Sequence, residues 1–398
     1  MSEGRVIIAG GGIGGLATAL ALSAKGRRII VLERAAVLGE VGAGIQLGPN
    51  AFHALDKLKV GDIARTEAVY IDQLRLMNAV SGEEIVHIDL NDGFRQRFGN
   101  PYAVVHRGDL HKAMLTACQD DPKIELKTGY QVERYEQDDS KIVVVLASGE
   151  RVEGDLLIGA DGLRSAVRRQ MVNDGPPRIE GHTTYRSVIP VDQMPEDLRW
   201  NAATLWAGER CHLVHYPLQG WKVFNLAITT HNDANELIAG KPVSHDEVMQ
   251  GFKGIHPRIR SLIEHGKDWK AWVICDREPV QQWRDGRAVL LGDAAHPMLQ
   301  YFAQGACMAL EDAVCLADAL ERERADWRKA LDSYVASRSL RTARVQLQSR
   351  ELAKRVYHPA GAHAALRDQL LKSLGNEGFY QSIDWLYRKG AAEAASIR

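Results

Sequence analysis

Apolar residues in this chain fall into two rhythms. Some runs are short, unbroken and stopped by glycine: Val6-Ile7-Ile8-Ala9, Asp155 to Ala160 (DLLIGA) and Ala288 to Leu291, with Ile29 to Leu32 ending instead in Glu33. Strands covered on both faces have this character, so these runs predict a buried parallel sheet. Elsewhere the runs alternate. Leu74-Arg75-Leu76-Met77 and Ile85-Val86-His87-Ile88 flank Ser81-Gly82 and predict a hairpin. After Tyr102 to Leu110 (YAVVHRGDL) comes a predicted helix, His111 to Cys118. Strands follow at Ile124–Leu126, Gln131–Gln137, Ile142–Leu146 and Arg151–Gly154, then a basic helical segment through Arg169. A strand-rich stretch between Gly181 and about Lys270 contains Thr183–Pro190, Ala203–Trp206, His212–Tyr216 and Val223–Thr229. A long helix is predicted from about Ala306, and beyond Trp327 the chain reads as helical to its end. Arg338, Arg341 and Arg344 read there as a solvated helix face.

The two rhythms interleave without a contiguous boundary. The expected fold class is α/β with an α+β excursion: a Rossmann-like nucleotide-binding domain interrupted by a β-sheet substrate domain and followed by a helical C-terminus. The nucleotide-binding part takes residues 1–70, 98–178 and 271–345; the substrate part takes 71–97 and 179–270; the helical region is 346–398.

The opening segment carries the most specific chemistry. Between the strands at Val6 and Ile29, Gly10, Gly12 and Gly15 form G-x-G-x-x-G, and Leu16 to Ala24 forms the following helix. One glycine makes the turn, one admits a pyrophosphate against the backbone, and one lets helix and strand pack closely. The helix start offers unpaired N–H groups to phosphate. Glu33 is placed for the adenosine ribose hydroxyls. A second glycine-rich loop, Gly39 to Asn50, carries Val41, Ile45 and Leu47. That apolar content predicts a loop lying against a flat cofactor ring rather than one free in solvent. Asp161-Gly162 and Gly292-Asp293 each end another buried strand, and three strand ends on one sheet edge can converge on one extended ligand.

Composition narrows the reading only slightly. Among 398 residues the formal net charge is −1, which gives no reason to expect a nucleic-acid partner. Cys118, Cys211, Cys275, Cys307 and Cys315 are scattered and odd in number, as reduced thiols of a cytoplasmic protein would be. No metal cluster and no apolar run of membrane-spanning length is expected, and the N-terminal apolar stretch reads as structure rather than a signal peptide.

The ordered set GGGIGG with Glu33, GADGLRS (Gly159 to Ser165) and LLGDAAHPMLQYFAQG (Leu290 to Gly305) resembles the class A flavoprotein aromatic hydroxylases, the 4-hydroxybenzoate hydroxylase fold. The resemblance implies non-covalent FAD, a transiently visiting nicotinamide donor (NADH, or NADPH) and O2. The absence of a second G-x-G-x-x-G fits a donor with no separate binding unit. It implies that Glu33 holds the adenosine ribose and that Arg107 approaches the phosphates. Asp161 is tied to FAD and the nicotinamide, Asp293 to the ribityl or pyrophosphate region, and Pro297 to the flavin's reactive edge. Backbone at Gly305 and Ala306 lies near the flavin N1–C2=O. Ile13, Gly14, Arg34, Gln46 and Gly292 complete the expected cofactor set.

The segments WNAATLWAGERCHLVHYPL, CDREPVQQW and FRQRFGNPYAVVHRGDL resemble the 3-hydroxybenzoate 6-hydroxylases, which form gentisate, with the decarboxylating salicylate 1-hydroxylases as the alternative. By that resemblance His212, Tyr216 and Gln300 are the catalytic residues and Tyr102 a further pocket aromatic. His212 would serve as base at its ordinary pKa. The substrate is a small aromatic carboxylate, and a homodimer is implied. Strand spacing independently puts His212, Val214 and Tyr216 on one face and His215 on the other. His296 reads as an organiser of the Gly292-Asp293 segment.

Overall fold

The computed structural model describes residues 4–39 and 44–390. The apolar runs ended by glycine come together in one six-stranded sheet. Its order is Arg284–Asp285, Ala288–Leu290, Leu156–Gly159, Arg5–Ala9, Arg28–Glu33, Ile124–Thr128, parallel except at the first pair. The helix Ile13–Ala24 packs against the helix Gly305–Arg322, and the residues between them are almost wholly apolar. Ile7, Ile8, Leu16 and Leu290 are fully buried, which is why these strands carry apolar side chains on both faces.

The alternating segments build a second, eight-stranded sheet. It runs Ala239–Pro242, Lys267–Asp276, Arg178–Pro190, Val223–His231, Cys211–Leu218, Ala202–Ala207, Gln73–Asn78, Glu84–Asp89. All its pairs are antiparallel except Ala202–Ala207 with Gln73–Asn78. Two three-stranded sheets complete the set: Gly44–Leu47, Ala103–His106 and Val69–Tyr70, and the meander Val132–Gln137, Ile142–Leu146, Arg151–Gly154.

Two expectations for the C-terminal part are corrected. The chain is not continuously helical: Trp327–Leu352 passes into a wide π-turn, Ala353–Tyr357, breaks at His358, and resumes as Gly361–Tyr387, which is itself kinked at Gly375. Pro359 explains the break, because proline disfavours helical backbone at the preceding residue. The arginine run is also not a solvated face. Arg338 is fully buried and Arg341 nearly so, while Arg344 alone is exposed, its guanidinium over the Trp385 ring at 3.8 Å. Arg338 donates to Asp312 Oδ1 at 2.6 Å and Glu311 Oε2 at 2.5 Å, and Arg341 holds both oxygens of Glu311 at 2.8 Å. A charge leaves water only when paired, and these acids lie on the facing helix Gly305–Arg322.

Candidate active site

The three glycine-acid turns lie on adjacent strands and are tied to one another. The Gly10 N–H donates to Leu32 O, the Ala160 N–H to Ala9 O and the Leu291 N–H to Gly159 O, at 2.8–2.9 Å. Gly10 has φ +103°, and a Cβ there would lie 2.4 Å from Ala160 O; at Gly15 a Cβ would lie 1.9 Å from Gly10 O. Only glycine permits both approaches. The start of the helix Ile13–Ala24 has no side-chain cap and no acid in its first turn, and the same holds for the helix Gly305–Arg322. Gly12, Ile13, Gly14, Gly305 and Ala306 therefore bring two uncapped positive helix ends to the wall of one cavity.

That cavity, of about 360 Å³, runs between the six-stranded and eight-stranded sheets. Gln46, Arg107, Gly292 and Asp293 also line it, from the cofactor set expected on sequence. Glu33 stands at the rim of the first turn, accepting the Gly11 and Ala35 N–H groups at 2.8 Å, with Arg34 exposed beside it. The Asp161 carboxylate faces the next helix, accepting from Ser165 Oγ and from the Ala166 N–H at 2.7 Å. Pro297 sits behind the wall, its carbonyl held by Gln346 at 3.0 Å, while Met298 and Leu299 face inward. Val41, and with it part of the second glycine loop, lies outside the described residues; Gly44 and Ile45 line the cavity.

His212, Val214 and Tyr216 form the opposite wall, as alternation along Cys211–Leu218 requires. His215 points away into the core, between Trp206 and Phe224, with burial as the main cause of a pKa pushed down to about 3. Gln300 lines the cavity and is pinned by Thr184 Oγ1 at 2.9 Å and Thr229 Oγ1 at 3.2 Å. Tyr102 is not among the lining residues: it stands behind Gln46, donating to its Oε1 at 2.7 Å. His296 is fully buried, and its Nε2 lies 2.6 Å from Asp312 Oδ2. That same oxygen accepts the Gly292 N–H, so the histidine braces the turn from behind.

Three lining or contacting residues were not anticipated. Arg186 projects into the cavity from Arg178–Pro190 and donates to Gln300 Oε1 at 3.2 Å. Burial lowers its pKa, Tyr216 opposes this and Arg107 adds to it; among the described residues no carboxylate lies within ion-pair distance of it. The only hint in sequence was one arginine amid the strand Thr183–Pro190. Tyr357 and His358 come from the helix break. Tyr357 lines the cavity, and His358 Nε2 lies 2.8 Å from His212 Nδ1. Nothing local in the sequence linked positions 212 and 358.

The electrostatics correct the expectation for His212. Burial, with His358 and His182 nearby, holds its pKa well below the ordinary 6.5. It is a neutral imidazole at neutral pH, able to accept a proton but poorly able to keep one as a buried cation.

Comparison with known proteins now decides the class. The family model of an FAD binding domain matches residues 3–349. The chain is 52% identical over 388 residues to 3-hydroxybenzoate 6-hydroxylase 1 of Aquipseudomonas alcaligenes, covering 98% of each chain. The chain belongs to the class A FAD-dependent aromatic hydroxylases. A 3-hydroxybenzoate 6-hydroxylase of Klebsiella oxytoca is 48% identical, over 96% of each chain. The crystal structure of Klebsiella pneumoniae HpxO complexed with FAD and uric acid superposes with a TM-score of 0.84 at 26% identity, covering 99% of this chain and 97% of that one. The hydroxylase is thus a flavoprotein monooxygenase that uses FAD. Its residues fit that cofactor: two uncapped helix ends and a Gly10–Gly15 cradle that a Cβ would fill suit a pyrophosphate and an electron-rich ring. Among the described residues no group of His, Cys, Asp and Glu is arranged to hold a metal, and no helix is long and apolar enough to cross a membrane.

Proposed function

We propose that this hydroxylase converts 3-hydroxybenzoate to gentisate in the cytoplasm, with NADH as electron donor. The observation that carries the substrate is the half-buried guanidinium of Arg186, set beside Gln300 on the same cavity as His212 and Tyr216. A cation that faces a cavity without a carboxylate beside it calls for an anionic ligand, and a carboxylate matches its paired N–H groups. Three relatives at 48–52% identity, matched along essentially their whole length, are named for this substrate.

Bound FAD, once reduced, supplies the activated oxygen. The chain's own residues prepare the ring. Arg186 holds the carboxylate, Gln300 orients the substrate, and His212 withdraws the phenolic proton to enrich the carbon para to that oxygen. In 3-hydroxybenzoate that carbon is C6. Val214, Tyr216, Ala227, Met298 and Tyr357 give an apolar, aromatic enclosure that keeps water away. Glu33, Arg107 and Asp293 are assigned to the FAD ribose, phosphates and ribityl chain, with Asp161 shaping the loop beside them. A homodimer through the C-terminal helices belongs to the same reading; Leu366, Leu370 and Leu374 repeat at every fourth residue on an exposed face there.

The test is the FAD-loaded protein with NADH, O2 and the three hydroxybenzoate isomers, with products identified by chromatography. Gentisate from the 3-isomer is expected; catechol from the 2-isomer, or no substrate-stimulated NADH oxidation, overturns the reading. Arg186→Gln should raise KM for 3-hydroxybenzoate by about 10- to 100-fold, the worth of one hydrogen bond between charged groups. It should also relax the demand for a carboxylate, which 3-hydroxybenzamide would reveal.

A further inference from the structure

Histidines are concentrated on one side of His212. His212 and His358 rings lie 4.9 Å apart, His358 and His182 5.3 Å, and His182 and His231 4.2 Å. The two ends of this file differ in exposure, and His358 between them is half-buried. His212 is 2% exposed and His182 6%, whereas the His231 side chain is 36% exposed, beside Asp233 and Arg210 at the surface. The fold assembles the file from four segments. His212 sits near the start of its strand, His182 and His231 are register partners on neighbouring strands, and His358 drops in from the break after the π-turn.

Two neutral imidazoles sharing one 2.8 Å contact must divide it as one donor and one acceptor. With the proton on His212 Nδ1, its Nε2 carries a free lone pair for a ligand in the cavity. With the proton on His358 Nε2, His212 instead presents Nε2–H, a donor suited to a phenolate. Passing one proton inward to outward converts the first arrangement into the second.

We propose, resting on the reading of function above, that His358 is a positioning residue that takes the proton His212 removes, at the head of an exit file through His182 and His231. The phenol O–H and the His212 Nδ1–H break, while His212 Nε2–H and His358 Nε2–H form. His358 then gives up its Nδ1–H toward His182. The net change is one proton moved toward solvent, with both rings left neutral and the phenolate held by His212 Nε2–H. The groups facing the file favour neutrality. His182 Nδ1 is 2.6 Å from the Tyr301 hydroxyl, and Tyr301 and Tyr357 pack on His212 with their edges. Charge stands at the two ends, with Arg186 on the cavity side and Asp233 and Arg210 at the surface, and Glu180 lies near Tyr301. Burial is the main influence that pushes His358 down to about 3 and His182 to about 4, so a proton arriving there has reason to move on.

Proton release can be followed directly, by mixing FAD-loaded enzyme with 3-hydroxybenzoate in weak buffer containing a pH-indicator dye. In mixtures of H2O and D2O the unaltered enzyme should give a curved proton inventory, because two protons move together. His358→Gln, which still hydrogen-bonds but cannot relay, should retain FAD and substrate affinity, slow release and kcat by about 10-fold, and give a linear inventory. Its deficit should shrink as pH rises and the free phenol ionises, a recovery that a merely structural defect would not show. A linear inventory in the unaltered enzyme, or unchanged release in His358→Gln, overturns the relay and leaves the hydroxylase reading intact. Failure of the unaltered enzyme to hydroxylate 3-hydroxybenzoate overturns both.

Discussion

Replacing His212 with alanine is expected to lower hydroxylation by about 10²–10⁴-fold, the usual weight of a positioned proton acceptor. FAD content should not change, because the turns assigned to FAD lie on the other sheet. Arg186 and Gln300 remain in place, so the substrate should still enter and the loss should fall on kcat rather than KM. With the phenol left protonated, NADH oxidation should continue with little product. The measurement is product formed per NADH consumed, beside the flavin absorbance of the purified variant. Unchanged coupling would remove His212 from the chemistry.

The second large effect concerns stability. Arg338→Met should cost about 3–5 kcal/mol, since it leaves buried carboxylates short of a counter-charge. Glu311 and Asp312 are both buried, and burial alone would raise their pKa values. For Glu311 the guanidiniums of Arg338 and Arg341 reverse this, and for Asp312 His296 and Arg338 do; each acid is held down to about 2. The sign follows from that depression. Folded values below the unfolded 4.5 and 3.8 give stability that is present above those pH values and lost as pH falls toward about 2. In Arg338→Met the acids should titrate higher, so acid unfolding should begin at a higher pH. Chemical denaturation of the FAD-loaded protein at pH 7 and pH 4 checks both statements. FAD should be lost along with stability, because Asp312 also holds His296 and the Gly292 N–H. An unaltered midpoint would show that the network is dispensable.

The fold was legible because its two sheets write different patterns. Strands buried on both faces, such as Val6 to Ala9, are continuous apolar runs, and glycine ends them where the backbone must turn sharply. The wall of His212, Val214 and Tyr216 was legible by alternation alone. The arginines were misread because a charge run shows its own helix and not the facing acids. Glu311 and Asp312 lie among apolar residues on Gly305–Arg322 and gave no sign of being partners. Arg186 and His358 were missed for a related reason. Each gains its meaning from a contact across a large sequence distance, 114 residues to Gln300 and 146 to His212. The assumed ordinary pKa of His212 failed because a side chain's own chemistry says nothing of how deeply it is set.

Tyr357 and His358 have a consequence for how the enzyme comes into being. During synthesis the glycine-rich turns and the eight-stranded sheet leave the ribosome well before the helix break that adds Tyr357 to the cavity wall and His358 behind His212. A growing chain can therefore form every strand of both sheets before Tyr357 reaches the cavity wall.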